Sequence, residues 1–265
     1  MYYMTFNFKQ IKGVIFDFDD TMIDNGPLDN PSEWLHARSR LRAVHEIAKE
    51  HGLSTLLSLT VEENNLAFTT AKVHSIQGAV WNIFFMKGLV DTDDIDTSHA
   101  LYPIIEEIAG RKNILHEPLL RKYGVEVPGV SDFIKNLGEN GLSKTLAIAT
   151  TALGSEVKIF IEKYGLSYLF PPDRIISAEK LTRPKPDPES YNLAFRSLEL
   201  PESDRRYVVA FEDNPRGIRS AKSAGLYVCA ITTRTDRDNP ALIASGPDLI
   251  AGSYSEFEKL LNVPW

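Results

Sequence analysis

The chain has 265 residues, a net charge of −7, 43% hydrophobic and 25% charged residues. That is the balance of a water-soluble globular protein, long enough to bury a core without covalent staples. The acidic balance argues against a general nucleic-acid or anionic-membrane binder, either of which needs a basic face. A lysine, a few donors and a metal can still hold a phosphate ester on an acidic protein. The single cysteine, Cys229, lies in the apolar run Tyr227–Ile231 and reads as a small buried hydrophobe. Met1–Lys9 lacks the pattern of a secretory signal, and no run of about 18 apolar residues is present to span a membrane. A cytoplasmic location is therefore expected.

In chain order, the first predicted element is a buried strand at Val14-Ile15-Phe16. The stretch from about Asp24 to Val127 then changes character, with few β-like runs and several helix signatures. Ser32 to Gly52 reads as a helix with Leu35, Leu41, Val44 and Ile47 as its apolar stripe. Thr60-Val61-Glu62-Glu63 is a capping box, in which Thr60 and Glu63 satisfy two otherwise free backbone donors. After it, Leu66, Val73, Val80, Ile83 and Phe84 recur at helical spacing up to Gly88, which predicts one long helix. Asn25-Gly26-Pro27 and Gly124–Gly129 supply turn residues at the two ends of this insertion.

From about Gly129 onward, short apolar runs alternate with helical patterns. Leu146–Ala149, Ile175-Ile176, Tyr207–Phe211 and Tyr227–Ile231 read as strands, with helices near 131–140, 155–164, 188–198 and 215–224. Near-continuous apolar strands alternating with helices indicate a parallel sheet covered on both faces. The expected fold class is α/β: a Rossmann-like doubly wound parallel sheet core, residues 1–24 and 126–265, with a helical cap domain over residues 25–125.

Open parallel sheets bind ligands at the carboxyl ends of their strands. Asp17 and Asp19 follow the first predicted strand, Thr150 and Thr151 the second, Glu212 and Asp213 the fourth. A loop after the third holds Arg183-Pro184-Lys185-Pro186. Each has a duller explanation by itself: a solvated turn for Asp17-Phe18-Asp19, a cap for Thr150 or Thr151, an exposed loop for Lys185. Asn214 and Pro215 are in their own right a good helix start. Together, acidic pairs at two strand ends would repel across the sheet edge unless a cation lay between them. A divalent ion with oxygen ligands resolves the conflict, and magnesium takes a few carboxylates together with water and phosphate.

Asp17-Phe18-Asp19-Asp20-Thr21, the strand-end Thr150, Lys185 and Glu212-Asp213 resemble, in order and context, the four motifs of the haloacid dehalogenase-like superfamily. The stretch Phe211–Gly225 is especially similar to the fourth motif, and Arg183–Pro188 to the third. The insertion matches the family's helical cap in position and character only. The resemblance implies a magnesium-dependent phosphatase that hydrolyses a small phosphate monoester through an aspartyl-phosphate. Asp17 is then the nucleophile, and Asp19 the acid that protonates the leaving oxygen and later the base that activates water. Thr150 and Lys185 hold the phosphoryl oxygens. Magnesium is held by Asp17, the Asp19 carbonyl and Asp213, with Glu212 nearby or direct. Asp20 is assigned no chemistry, and Thr21 is expected to brace the loop by hydrogen bonding.

Within the family, an aspartate at position 19 points to a phosphate ester, because the dehalogenase and phosphonate-cleaving branches lack it. The rivals are a phosphomutase similar to β-phosphoglucomutase and a non-catalytic phosphate-binding protein. All six histidines, His36, His45, His51, His74, His99 and His116, fall before the second core strand. That excludes a histidine-ligated metal in the core, and in the insertion they are expected on helix surfaces. Lys72, His74, Trp81, Phe84, Phe85 and Lys87 are candidates to line a cleft, although the aromatics read first as the insertion's own core. The expected partner is a small phosphorylated metabolite, with no nucleic acid and no membrane.

Overall fold

In the computed structural model, which describes residues 10–26, 34–73, 75–233 and 235–260, the chain enters through β1 (Gly13–Phe16) and turns into a two-residue strand β2 (Ile23–Asp24). Four helices follow: α1 (Leu35–Glu50), α2 (Val61–Thr70), α3 (Ile76–Met86) and α4 (Tyr102–Tyr123). The chain then runs through β3 (Val125–Glu126), α5 (Val130–Leu137), β4 (Leu146–Ala149), α6 (Gly154–Lys163), β5 (Ile175–Ile176), α7 (Glu189–Ser197) and β6 (Val208–Glu212). It closes with α8 (Pro215–Ser223), β7 (Tyr227–Ile231), α9 (Pro240–Ala244), β8 (Leu249–Ala251) and α10 (Tyr254–Leu260). Pro27, Ser32 and His74, to which the sequence assigned a turn, a helix start and a cleft position, lie outside the described residues. No described helix is long and apolar enough to cross a membrane.

The expected doubly wound parallel sheet is present. Six strands pair in the order β5-β4-β1-β6-β7-β8, all parallel, with β1 between β4 and β6. Side chains alternate across it, as strand geometry requires. Ile15, Ala147, Ala210 and Val228 pack on one face with Tyr191, Ala194 and Phe195 of α7 and Ile218 and Ala221 of α8. On the other, Phe16 stacks on Phe211 with ring centroids 5.3 Å apart, and Phe133 of α5 meets Phe211 edge-on at 5.4 Å. Tyr254 and Phe257 of α10 complete this aromatic layer. Such rings bury much apolar area and favour these offset and edge geometries.

The chain divides into two compact units, one taking Met1–Asp24 and Val125–Trp265, the other Asn25–Gly124. In the helical unit, Val44, Ile47, Val80, Trp81, Phe84, Ile105 and Ile108 form the core. Trp81 and Phe84 thus serve packing, while Lys87 is paired with Glu63 at 2.7 Å and Lys72 with Asp93 at 2.7 Å. Buried polar groups tie the helices together. The Arg40 Nε donates to Asn64 Oδ1 at 2.8 Å, and Asn64 Nδ2 donates to the Ala37 carbonyl at 3.1 Å.

Two expectations fail in this unit. The single helix from the capping box to Gly88 is two helices, one ending at Thr70 and the next starting at Ile76, and Leu66 and Val73 of the supposed stripe are exposed. Ser75 starts a fresh helix by accepting the Gly78 N–H at 3.0 Å. The Val73 carbonyl lies so close to Gly78 that a β-carbon there would fall 1.8 Å from it. The capping box itself is formed, with both reciprocal bonds between Thr60 and Glu63. Nor is every histidine on a surface: His116 is buried, its ring stacked on His36 at 4.0 Å and its Nδ1 3.3 Å from Ser39 Oγ.

Candidate active site

The strand register brings the motif residues to one edge. Phe16 of β1 pairs with Ile148 of β4 on one side and Phe211 of β6 on the other. Asp17, Thr150 and Glu212 therefore emerge from three adjacent strands at their carboxyl ends, where open parallel sheets place ligands. The Asp17 amide still belongs to the sheet, donating to the Phe211 carbonyl at 3.0 Å. Its carboxylate is buried, with 5% of the residue exposed.

Beyond Asp17 the chain makes a tight loop. The Phe18 carbonyl accepts the amides of Met22 at 2.8 Å and Ile23 at 3.1 Å, and Asp20 takes a left-handed φ of 57°. Asp19 is half-buried in this loop. Thr21 does not brace it in the manner expected. Its buried hydroxyl oxygen has no hydrogen-bond partner, and the bracing runs through its backbone carbonyl, which accepts the Tyr254 hydroxyl at 3.0 Å.

Thr150 is buried, and its hydroxyl oxygen accepts the Ala152 amide at 2.9 Å, leaving the hydroxyl hydrogen to be donated elsewhere. Thr151 is exposed. The Lys185 loop is fastened at several points. The Glu189 carboxylate accepts the amides of Thr182 at 2.9 Å and Arg183 at 2.7 Å, and Ser220 donates to the Asp187 carbonyl at 2.6 Å. Arg216 donates to the Lys185 carbonyl at 2.5 Å, and the Lys185–Pro186 peptide is cis. The capping explanation for Asn214 is also correct: its side chain accepts the amides of Arg216 and Gly217, with Pro215 in the first turn of α8.

Lys185 is the electrostatic centre. It is 6% exposed, and its Nζ donates to Asp17 Oδ1 at 2.5 Å and Glu212 Oε1 at 2.6 Å. Glu212 is fully buried, and its Oε1 also accepts the Tyr191 hydroxyl at 2.6 Å. Carboxylate oxygens of Asp17, Glu212 and Asp213 all lie within 4.8 Å of one another. Three carboxylates thus cluster with one buried ammonium, which is bonded to two of them. Burial and then the charge of Glu212 push Asp17 up to about 8, against the pull of Lys185. Burial, then Asp17 and Glu212, raise Asp213 well above the usual carboxylate range. For Lys185, burial works against the charged form but Asp17 and Glu212 outweigh it, so its pKa goes up and it stays an ammonium.

Those upward shifts test whether a cation fits. The cluster is short of positive charge, its donors are all hard oxygens, and their spacing suits convergence on one ion. Asp17, Glu212 and Asp213 fit a divalent cation such as magnesium. Glu212 Oε1 accepts from Lys185 and Tyr191, and its Oε2 accepts the Asp213 amide at 3.3 Å. Tyr191 and Tyr254 carry no signal in the sequence, whereas Gly217 lies in the stretch that resembles the fourth motif.

The family model for haloacid dehalogenase-like hydrolases matches residues 86–231, more than half of the chain, and the chain belongs to this family. It is 26% identical over 225 residues to hexitol phosphatase A of Escherichia coli (strain K12), an alignment covering 85% of each protein. It is 29% identical over 164 residues to the phosphorylated carbohydrates phosphatase of Thermotoga maritima, covering 60% of this chain and 70% of that protein. Among solved structures, that of CbbY from Rhodobacter sphaeroides in complex with phosphate superposes with a TM-score of 0.65 at 25% identity, covering 93% of this chain and 96% of that one.

Proposed function

We propose that this hydrolase is a magnesium-dependent phosphatase that cleaves a small phosphorylated carbohydrate or polyol through an aspartyl-phosphate on Asp17. One observation carries the reading: a buried lysine bridges Asp17 and Glu212 beside Asp213, at the strand edge where the family's motifs converge. The names of the relatives, a hexitol phosphatase and a phosphorylated carbohydrates phosphatase, support the substrate class.

Asp17 attacks phosphorus, forming a P–O bond to its carboxylate as the bond to the alcohol oxygen breaks. Asp19 gives its proton to that departing oxygen, then takes a proton from the water that cleaves the Asp17–phosphorus bond and frees inorganic phosphate. The Lys185 ammonium and the Thr150 hydroxyl bind phosphoryl oxygens, and Lys185 offsets part of the burial and Glu212 charge that raise the pKa of Asp17. Such preorganised charge is commonly the largest contribution to catalysis. The residues that would hold the metal are Asp17, the Asp19 carbonyl, Asp213 and Glu212. When bound, the ion supplies positive charge against the transferring phosphoryl group.

We assign catalysis to residues 1–24 and 126–265, and choice of the leaving alcohol to the helical cap, residues 25–125. The acidic charge and lone buried cysteine support a cytoplasmic enzyme acting on metabolites and not on nucleic acid. The test is a panel of sugar and polyol phosphates with magnesium, read as inorganic phosphate released. Turnover should vanish with chelator and in Asp17→Asn. Transfer of phosphate between positions of a sugar without release would replace the phosphatase with a mutase. Full activity in Asp17→Asn would refute the mechanism.

A further inference from the structure

The chemistry above leaves Tyr191 unused, although it touches both Lys185 and Glu212. We propose that Tyr191 is a positioning residue, whose hydroxyl holds Glu212 so that Lys185 stays aimed at Asp17; this rests on the phosphatase reading. The side chain sits in the first turn of α7 and is fully buried. Its hydroxyl donates to Glu212 Oε1 at 2.6 Å, and the oxygen lies 3.4 Å from Lys185 Nζ. The ammonium lies 4.8 Å from the centre of the Tyr191 ring, within the range where a ring face attracts a cation. Burial, then the charges of Glu212 and Asp17, keep the phenol protonated, so it remains a donor.

The geometry explains why the hydroxyl matters to a residue it does not itself activate. Lys185 is shared between two carboxylates at nearly equal distances, 2.5 Å to Asp17 and 2.6 Å to Glu212. A carboxylate oxygen that already accepts one strong bond pulls less on a second donor. The Tyr191 hydroxyl is that first bond for Glu212 Oε1, leaving more of the lysine's charge for Asp17 and the phosphoryl group. The other side of Glu212 is closed by Gly217, where an added β-carbon would fall 1.9 Å from Oε1. The carboxylate is therefore clamped between a phenol on α7 and bare backbone on α8, with no room to follow the lysine.

The experiment compares the full-length chain with Tyr191→Phe, which keeps the ring and removes the hydroxyl. A control, Phe195→Leu, perturbs packing one turn along the same helix. With magnesium and p-nitrophenyl phosphate, Tyr191→Phe should lose about tenfold in kcat, ~1.4 kcal/mol, with KM changed less than about twofold. Vanadate, a mimic of five-coordinate phosphorus, should bind about tenfold more weakly by calorimetry, which needs no turnover. Phe195→Leu should lower the melting temperature and leave vanadate affinity alone. If Tyr191→Phe also melts lower but keeps its kcat and vanadate affinity, the hydroxyl is structural and the proposal is overturned. Asp17→Asn separates the two levels. If it stays active, the reading of the site fails and this inference falls with it; if it is inert while Tyr191→Phe is fully active, this inference alone fails.

Discussion

Replacing Gly217 by alanine sets two opposed effects against each other with computable size. Gly217 lies in the first turn of α8, and alanine in a helix is favoured over glycine by about 1 kcal/mol, so propensity alone predicts stabilisation. A β-carbon at this position, however, would lie 1.9 to 2.0 Å from the Glu212 carboxylate, far inside contact distance. Glu212 would have to leave, breaking its 2.6 Å bonds with Lys185 and Tyr191. Hydrogen bonds to charged groups contribute about 1.5–3 kcal/mol each. Losing two of them, offset by the propensity gain, gives a net loss of about 2–5 kcal/mol. For a chain of this size that lowers the melting temperature by roughly 4–10 °C. Calorimetry on the metal-free protein reads it directly. Gly110→Ala in α4 is the control: nothing lies within 4 Å of its added carbon, so it should stabilise by about 1 kcal/mol. If both alanines stabilise alike, the Glu212 contact is not what the geometry says and the reasoning is refuted.

Three further outcomes follow from the same residues. Lys185→Met removes the only cation bonded to Asp17 and Glu212 among the described contacts; phosphatase activity should disappear and the metal-free protein lose about 3–5 kcal/mol, read by denaturant melts. The folded protein keeps a proton on Asp17 up to about 8, while the unfolded chain releases it near the ordinary value of 3.8. The folded state thus binds more protons across that window, so stability without metal should fall as pH rises through it. Magnesium competes with that proton, and the melting-temperature gain it gives should grow toward pH 8; a gain that is flat with pH would count against Asp17 as a ligand. In the helical unit, Thr60→Ala deletes half of a formed capping box and should cost about 1 kcal/mol by calorimetry.

What could be read from the sequence was what repeats locally. β1, β4, β6 and β7 are buried on both faces, so they appear as unbroken apolar runs, and the residue that follows such a run at its carboxyl end is a site candidate without further information. That logic singles out Asp17, Thr150, Glu212 and Asp213 as candidates. Strands β2, β3 and β8 have two or three residues each, too few to show a period. The α2–α3 break was hidden because Val73 and Val80 continue a helical spacing by coincidence, while the cap at Ser75 looks like any serine. Tyr191 was illegible for another reason. It shares the buried side of α7 with Ala194 and Phe195, so its ring reads as core, and only the fold brings Glu212 to its hydroxyl. Thr21 fails the same way: its carbonyl's partner, Tyr254, lies at the far end of the chain.

The short antiparallel pair of β2 and β3 sets Ile23 opposite Glu126 and Asp24 opposite Val125. The chain therefore leaves the sheet unit and re-enters it at neighbouring points, and everything in between is topologically a hairpin loop. Nothing in the sheet registers how long that loop is. A lineage could lengthen, shorten or exchange it without moving a strand, and a chain in which a short glycine-rich turn joins Asp24 to Val125 keeps every rung of the parallel ladder. Every rung of the parallel ladder is made by residues outside 25–124.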